Sequence, residues 1–118
     1  MKISYEGIGF MLVTFPDESA TEGNVCKINQ GGYAEDCIAN DLFCGVVHSV
    51  EKTMAAVQLE GFAKARYSGT KPQMGYVKLT ADGFGGVCVN NSGREYLVVQ
   101  VDENKRTVTR NITAGGTH

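Results

Sequence analysis

Between Met54 and Tyr67 the chain alternates. Val57, Leu59, Ala63, Ala65 and Tyr67 fall on one parity, and Gln58, Glu60, Lys64 and Arg66 on the other. Successive side chains of an extended backbone point to opposite faces, so this run predicts a strand with one buried and one wet face. Gly61 interrupts the apolar parity and Phe62 the polar one, which predicts a bulge or bend and therefore a curved strand. A strand curved in this way suits a barrel.

The other segments are shorter and set apart by turn residues. Fifteen glycines among 118 residues are about twice ordinary usage, so turns are plentiful. Ile8 to Phe15 is a first strand or arm ending at Pro16, and Asp17 to Gly23 is a polar, acidic loop after it. Val25 to Asn29 and Tyr33 to Ile38 flank Gln30-Gly31-Gly32, a hairpin signal in which both glycines suit positive φ. Leu42 to Val50, Gly75 to Thr80, Val87 to Asn90, Glu95 to Val101 and Arg106 to Ile112 complete the set, separated by Glu51-Lys52-Thr53, Ser68 to Pro72, Ala81-Asp82-Gly83, Asn90 to Gly93 and Asp102 to Lys105. About nine short strands with turns every 8 to 12 residues describe an all-β single domain, a small barrel or sandwich. Only Ala34 to Leu42 has a composition fit for one or two helical turns. The expected organisation is an N-terminal arm and acidic loop over 1–22, a barrel-like body over 23–112 and a flexible tail over 113–118.

Eleven basic and 13 acidic residues leave a net charge of −2, which argues against a nucleic-acid partner. The apolar start is too short and lacks the small-residue pattern of a secretion signal, and no apolar run reaches 18 residues, so no membrane partner is expected. The cysteines Cys26, Cys37, Cys44 and Cys88 are therefore expected as buried free thiols in a reducing compartment. Their intervals of 11, 7 and 44 positions include no Cys-x-x-Cys pair, so no metal is expected.

Catalytic constellations are not visible. Cys44 and His48 would stand roughly 13 Å apart along one strand, too far for a nucleophile and its base. The carboxylates are scattered over turns. Gly83-Phe84-Gly85-Gly86 is only superficially a phosphate cradle, since no helix follows it. Tyr76, Phe84, Tyr96 and Arg94 have the composition of a base-stacking platform, but core and rim packing accounts for them as well. Lys52, at the tip between two β runs, occupies the place where swinging-arm domains carry biotin or lipoate, although those domains set Asp or Met directly before the lysine and here Glu51 precedes it. No catalytic residue and no cofactor are expected.

The order Gly23-Asn24-Val25, Asp41-Leu42-Phe43-Cys44-Gly45-Val46-Val47, Ala56-Val57-Gln58-Leu59-Glu60-Gly61-Phe62, Pro72-Gln73-Met74-Gly75-Tyr76 and Ala81-Asp82-Gly83 resembles small bacteriophage head proteins, the decoration or cement proteins. The resemblance runs from about Gly23 to Ile112. It implies a non-enzymatic virion protein that binds the major capsid protein on the outer face of the mature head and staples capsomer junctions. Assembly in the host cytoplasm and a homo-oligomer, with a trimer favoured, would follow. The apolar residues Ile8, Phe10, Leu12 and Phe15 are the expected partner-binding anchors, adding a strand to a neighbouring chain; the competing reading makes them the first strand of the barrel. A phage tail or head-tail connector subunit, and a small ligand- or prosthetic-group-carrying β domain using Lys52, are the alternative functions.

Overall fold

A computed structural model of the protein describes residues 11–112, the last two by their backbone only. Nine strands follow in chain order: β1 (Met11–Pro16), β2 (Val25–Ile28), β3 (Ala34–Asp36), β4 (Gly45–Glu51), β5 (Met54–Arg66), β6 (Gly75–Ala81), β7 (Val87–Val89), β8 (Arg94–Asp102) and β9 (Thr107–Ile112). All their ladders are antiparallel, in the order β3-β2-β4-β5-β9-β8-β6-β7, with β1 added to β5. The domain is all-β, a single curled sheet of half-barrel form, and the described residues contain no helix.

The alternating run from Met54 supplies β5, on which the rest is built. Its first half pairs with β4 through Val46↔Gln58 and Val47↔Val57, and also with β1 through Leu12↔Gln58 and Phe15↔Ala55. From Gly61 onward it pairs with β9. The exchange of partners happens where Gly61 takes φ +99°, a conformation L side chains rarely adopt. The bend is braced by Gln58, whose Nε2 donates to the carbonyls of Glu60 at 3.1 Å and Phe62 at 3.0 Å. Gln58 was expected on the wet parity, but it is buried. A bulge turns backbone carbonyls away from the ladder, and a buried amide close by can satisfy them.

Each end of the sheet curls back toward the centre. Asp17 bridges Ala34 in parallel, with the Glu18 amide donating to the Ala34 carbonyl at 2.9 Å, so the end of β1 meets β3. Tyr67 bridges Val87 in parallel, with the Ser68 amide donating to the Val87 carbonyl at 3.0 Å, so the end of β5 meets β7. Two apolar clusters fill the two curls. The larger holds Phe43, Leu79, Val87, Tyr96, Val98 and Val108; the smaller holds Cys26, Ala34, Val47, Ala55 and Val57, with Phe15 packed on it. Each fully buried Val, Leu or Phe contributes about 1.5–3 kcal/mol.

The β2–β3 hairpin forms where Gly31-Gly32 predicted it, but only Gly32 has positive φ, at +86°. Asn29 Oδ1 accepts from the amides of Gly31 and Tyr33 and shapes the rest of the loop. The short helix considered for Ala34 to Leu42 is absent. Ala34–Asp36 forms β3, Asn40 takes φ +72°, and the Asn40 amide and Asp41 carbonyl are engaged by Ala81 rather than by a helical turn. The tail over 113–118 lies outside the described residues.

Candidate docking surface

Of the four apolar anchors expected from the sequence, Ile8 and Phe10 lie outside the described residues. Leu12 and Phe15 are on β1, and β1 separates them. Leu12 is 41% exposed beside an exposed Met11, whereas Phe15 turns onto the smaller core. The separation follows from the pleat, since the two residues differ by three positions and so by parity. Met11–Pro16 pairs along β5 of its own chain, and among the described residues no ladder covers the other edge of this strand. An edge strand offers unpaired N–H and C=O groups to a further strand.

Exposed apolar side chains elsewhere include Tyr76 and Phe84. Tyr76, at the start of β6, flanks an open cleft of about 350 Å³ with Val77 and Val89. Phe84, 81% exposed, flanks a second cleft of about 390 Å³ with Arg66, Lys105 and Arg106. Asp82 shapes the Phe84 loop. Its Oδ1 accepts from the Phe84 and Gly86 amides at 2.7 and 3.1 Å, and its Oδ2 from Ser68 Oγ at 2.6 Å. These bonds take up two of the loop's amides, and strand β7 rather than a helix follows.

The residues considered for base stacking are not brought together. Tyr76 and Phe84 belong to different clefts, and Tyr96 is buried, with its ring stacked on Phe43 at 4.9 Å between centroids. Cys44 and His48 do not form a dyad either. His48 is the extra residue where the β4–β5 register shifts between Val47 and Ser49, and it is exposed, while Cys44 packs against the core around Cys26. Lys52 does sit at a hairpin tip, with φ +57° in the two-residue turn joining Glu51 to Met54. Among the described residues no group of three or more His, Cys, Asp or Glu could hold a metal ion.

The chemically unusual residue was not singled out in the sequence. Arg110 on β9 is fully buried, and its guanidinium carbon lies 5.1 Å from the Phe43 ring centroid. Nη1 donates to the Ala63 carbonyl at 3.2 Å, while Nε and Nη2 have no partner among the described residues. Burial pulls this group down to about 10, which still leaves it protonated at neutral pH. Burial also pushes the phenol of Tyr96 up, and its hydroxyl donates to the Phe43 carbonyl at 3.4 Å. Arg110 shares the parity of Val108, which is fully buried. That shared parity was the available signal that Arg110 faces inward.

No family model, curated protein or solved structure matches the chain. No helix among the described residues is long and apolar enough to cross a membrane.

Proposed function

We propose that this protein is a structural component that works by docking onto other protein copies, as a decoration protein cementing the outer surface of a phage head. The observation that carries the reading is β1: an edge strand whose Met11 and Leu12 are exposed while its Phe15 is anchored in the core. Such a strand is held rigidly on one side and open on the other, the arrangement that strand addition uses. The apolar Ile8 and Phe10 precede it in the sequence and would extend the same contact.

A decoration protein needs no reaction. Binding the expanded shell and not its dissociated subunits stabilises the shell by mass action, with about 2.7 kcal/mol per site at a hundredfold excess over Kd. The major capsid protein is the proposed partner, and a closed ring such as a trimer would suit a symmetric capsomer junction.

Removing residues 1–10 while keeping Met11–Pro16 tests the attachment element. The expected result is a folded chain that binds expanded capsids much more weakly, through Met11 and Leu12 alone. Full binding by the shortened chain would overturn the role given to Ile8 and Phe10.

A further inference from the structure

Cys26 and Cys44 lie side by side where β2 joins β4, and the docking reading makes no use of them. Gly45 is the ladder partner of Cys26, yet the Cys44 amide also donates to the Cys26 carbonyl at 2.9 Å. That extra bond holds the Cys44 backbone against Cys26 just before β4 begins. A disulfide spans roughly 4.4–6.8 Å between Cα atoms, a reach that suits residues whose backbones share a hydrogen bond. The side chains converge as well as the backbones. Cys26 is fully buried in the smaller core, and Cys44 packs on that same core from a partly buried position. Cys37 follows Asp36, the β3 partner of Cys26, but packs in the larger core, and Cys88 lies 3.4 Å from Thr80 Oγ1.

We propose that Cys26 and Cys44 are a redox pair that closes to a disulfide when a small-molecule disulfide is present, with Cys44 attacking and Cys26 resolving. The Cys44 thiolate, the more accessible of the two, its proton released to solvent, attacks one sulfur of glutathione disulfide. The S–S bond breaks, one glutathione thiolate departs, and a mixed disulfide remains on Cys44. Cys26 then attacks Cys44 Sγ, the mixed disulfide bond breaks, and the second glutathione leaves as a thiolate that takes up the Cys26 proton. Two protein thiols are oxidised, and one glutathione disulfide is reduced to two thiols.

The environments of the two sulfurs fit these roles. The hydrogen bond from Cys26, helped by the Ile28 amide and the charge of Arg94, holds the Cys44 thiol below its ordinary range. The same contact, with burial, pushes the Cys26 thiol up. The thiolate is the nucleophile, so the lowered thiol, Cys44, is the one that attacks first. The new bond would tie the β2–β3 hairpin and the segment carrying Phe43 into one covalent loop, reversibly.

The test is to titrate the reduced full chain with glutathione disulfide and read intact mass and non-reduced peptide maps. The expected product is lighter by about 2 Da, for the two hydrogens lost, with Cys26 and Cys44 in one linked peptide pair. C44S should abolish it, and C26A should stop at a glutathione adduct on Cys44. Should C26A fail to fold, the wild-type peptide map decides alone. A lasting glutathione adduct on the wild-type chain, a link through Cys37 or Cys88, or no mass change at any glutathione ratio would each overturn the proposal.

Discussion

The guanidinium of Arg110 lies against the ring of Phe43, 5.1 Å from its centroid, and Phe43 in turn stacks on Tyr96 at 4.9 Å and 9°. A cation sits in the larger core with aromatic faces and one carbonyl around it and no carboxylate among the described residues. A desolvated cation–π contact returns about 2 kcal/mol, which is less than the several kcal/mol that burying an ion costs. Arg110→Met keeps the length and removes the charge. It is expected to be neutral or to raise stability by up to about 4 kcal/mol in urea unfolding; a loss above about 2 kcal/mol would show that the charge itself holds the core.

The bend in β5 depends on two residues. Gly61 takes φ +99°, so Gly61→Ala is expected to cost about 1–2 kcal/mol. Gln58→Ala leaves the Glu60 and Phe62 carbonyls without their donor and is expected to cost about 1–3 kcal/mol. Denaturant midpoints measure both, and because the two sites are coupled, the double variant should fall short of the sum.

The strand pattern was legible because alternation and turn residues are local signals. Met54 to Tyr67 and Gly31-Gly32 carried enough information to place β5 and the β2–β3 hairpin. What was not legible depends on the whole fold. Gln58 reads as a wet residue until the bend at Gly61 supplies two carbonyls for it to satisfy. Arg110 reads as exposed until β9 is known to turn that parity toward Phe43. Ala34 to Leu42 has helical composition, but ladder and loop bonds to β2 and Ala81 outcompete a turn of helix. Leu12 and Phe15, taken together as anchors, lie on opposite parities of β1, so only one of them is left open to a partner.

At the β4–β5 tip, Lys52 holds φ +57°, a strained position for a side chain with a Cβ. Lys52→Gly relieves it and is expected to raise stability by about 0.5–1 kcal/mol. Thermal unfolding reads the change, and a lowered melting temperature would mean that the lysine stem makes a contact worth more than the strain.

Asp41 orders the loop before β4. Its Oδ2 accepts from Lys27 Nζ at 2.7 Å and from the Ile38 amide at 3.0 Å, and the Lys27 bond holds its carboxyl below the ordinary 3.8. A depressed carboxyl favours the folded state above 3.8, and that contribution is lost as the pH falls through the lower folded value. Asp41→Asn is therefore expected to cost up to about 1 kcal/mol at pH 7, and its stability should converge on the wild type as the pH is taken below 3.8. A gap that persists undiminished in acid would assign the effect to loop packing instead of charge.

The most direct measurement is to add the purified chain to expanded phage capsids that lack a decoration protein and to image the shells as the concentration rises. Saturable occupancy of fixed lattice positions on the outer face, together with increased resistance of the shells to heat, is the predicted result. No binding to the cognate capsid, or occupancy confined to the tail vertex, would contradict a cementing role.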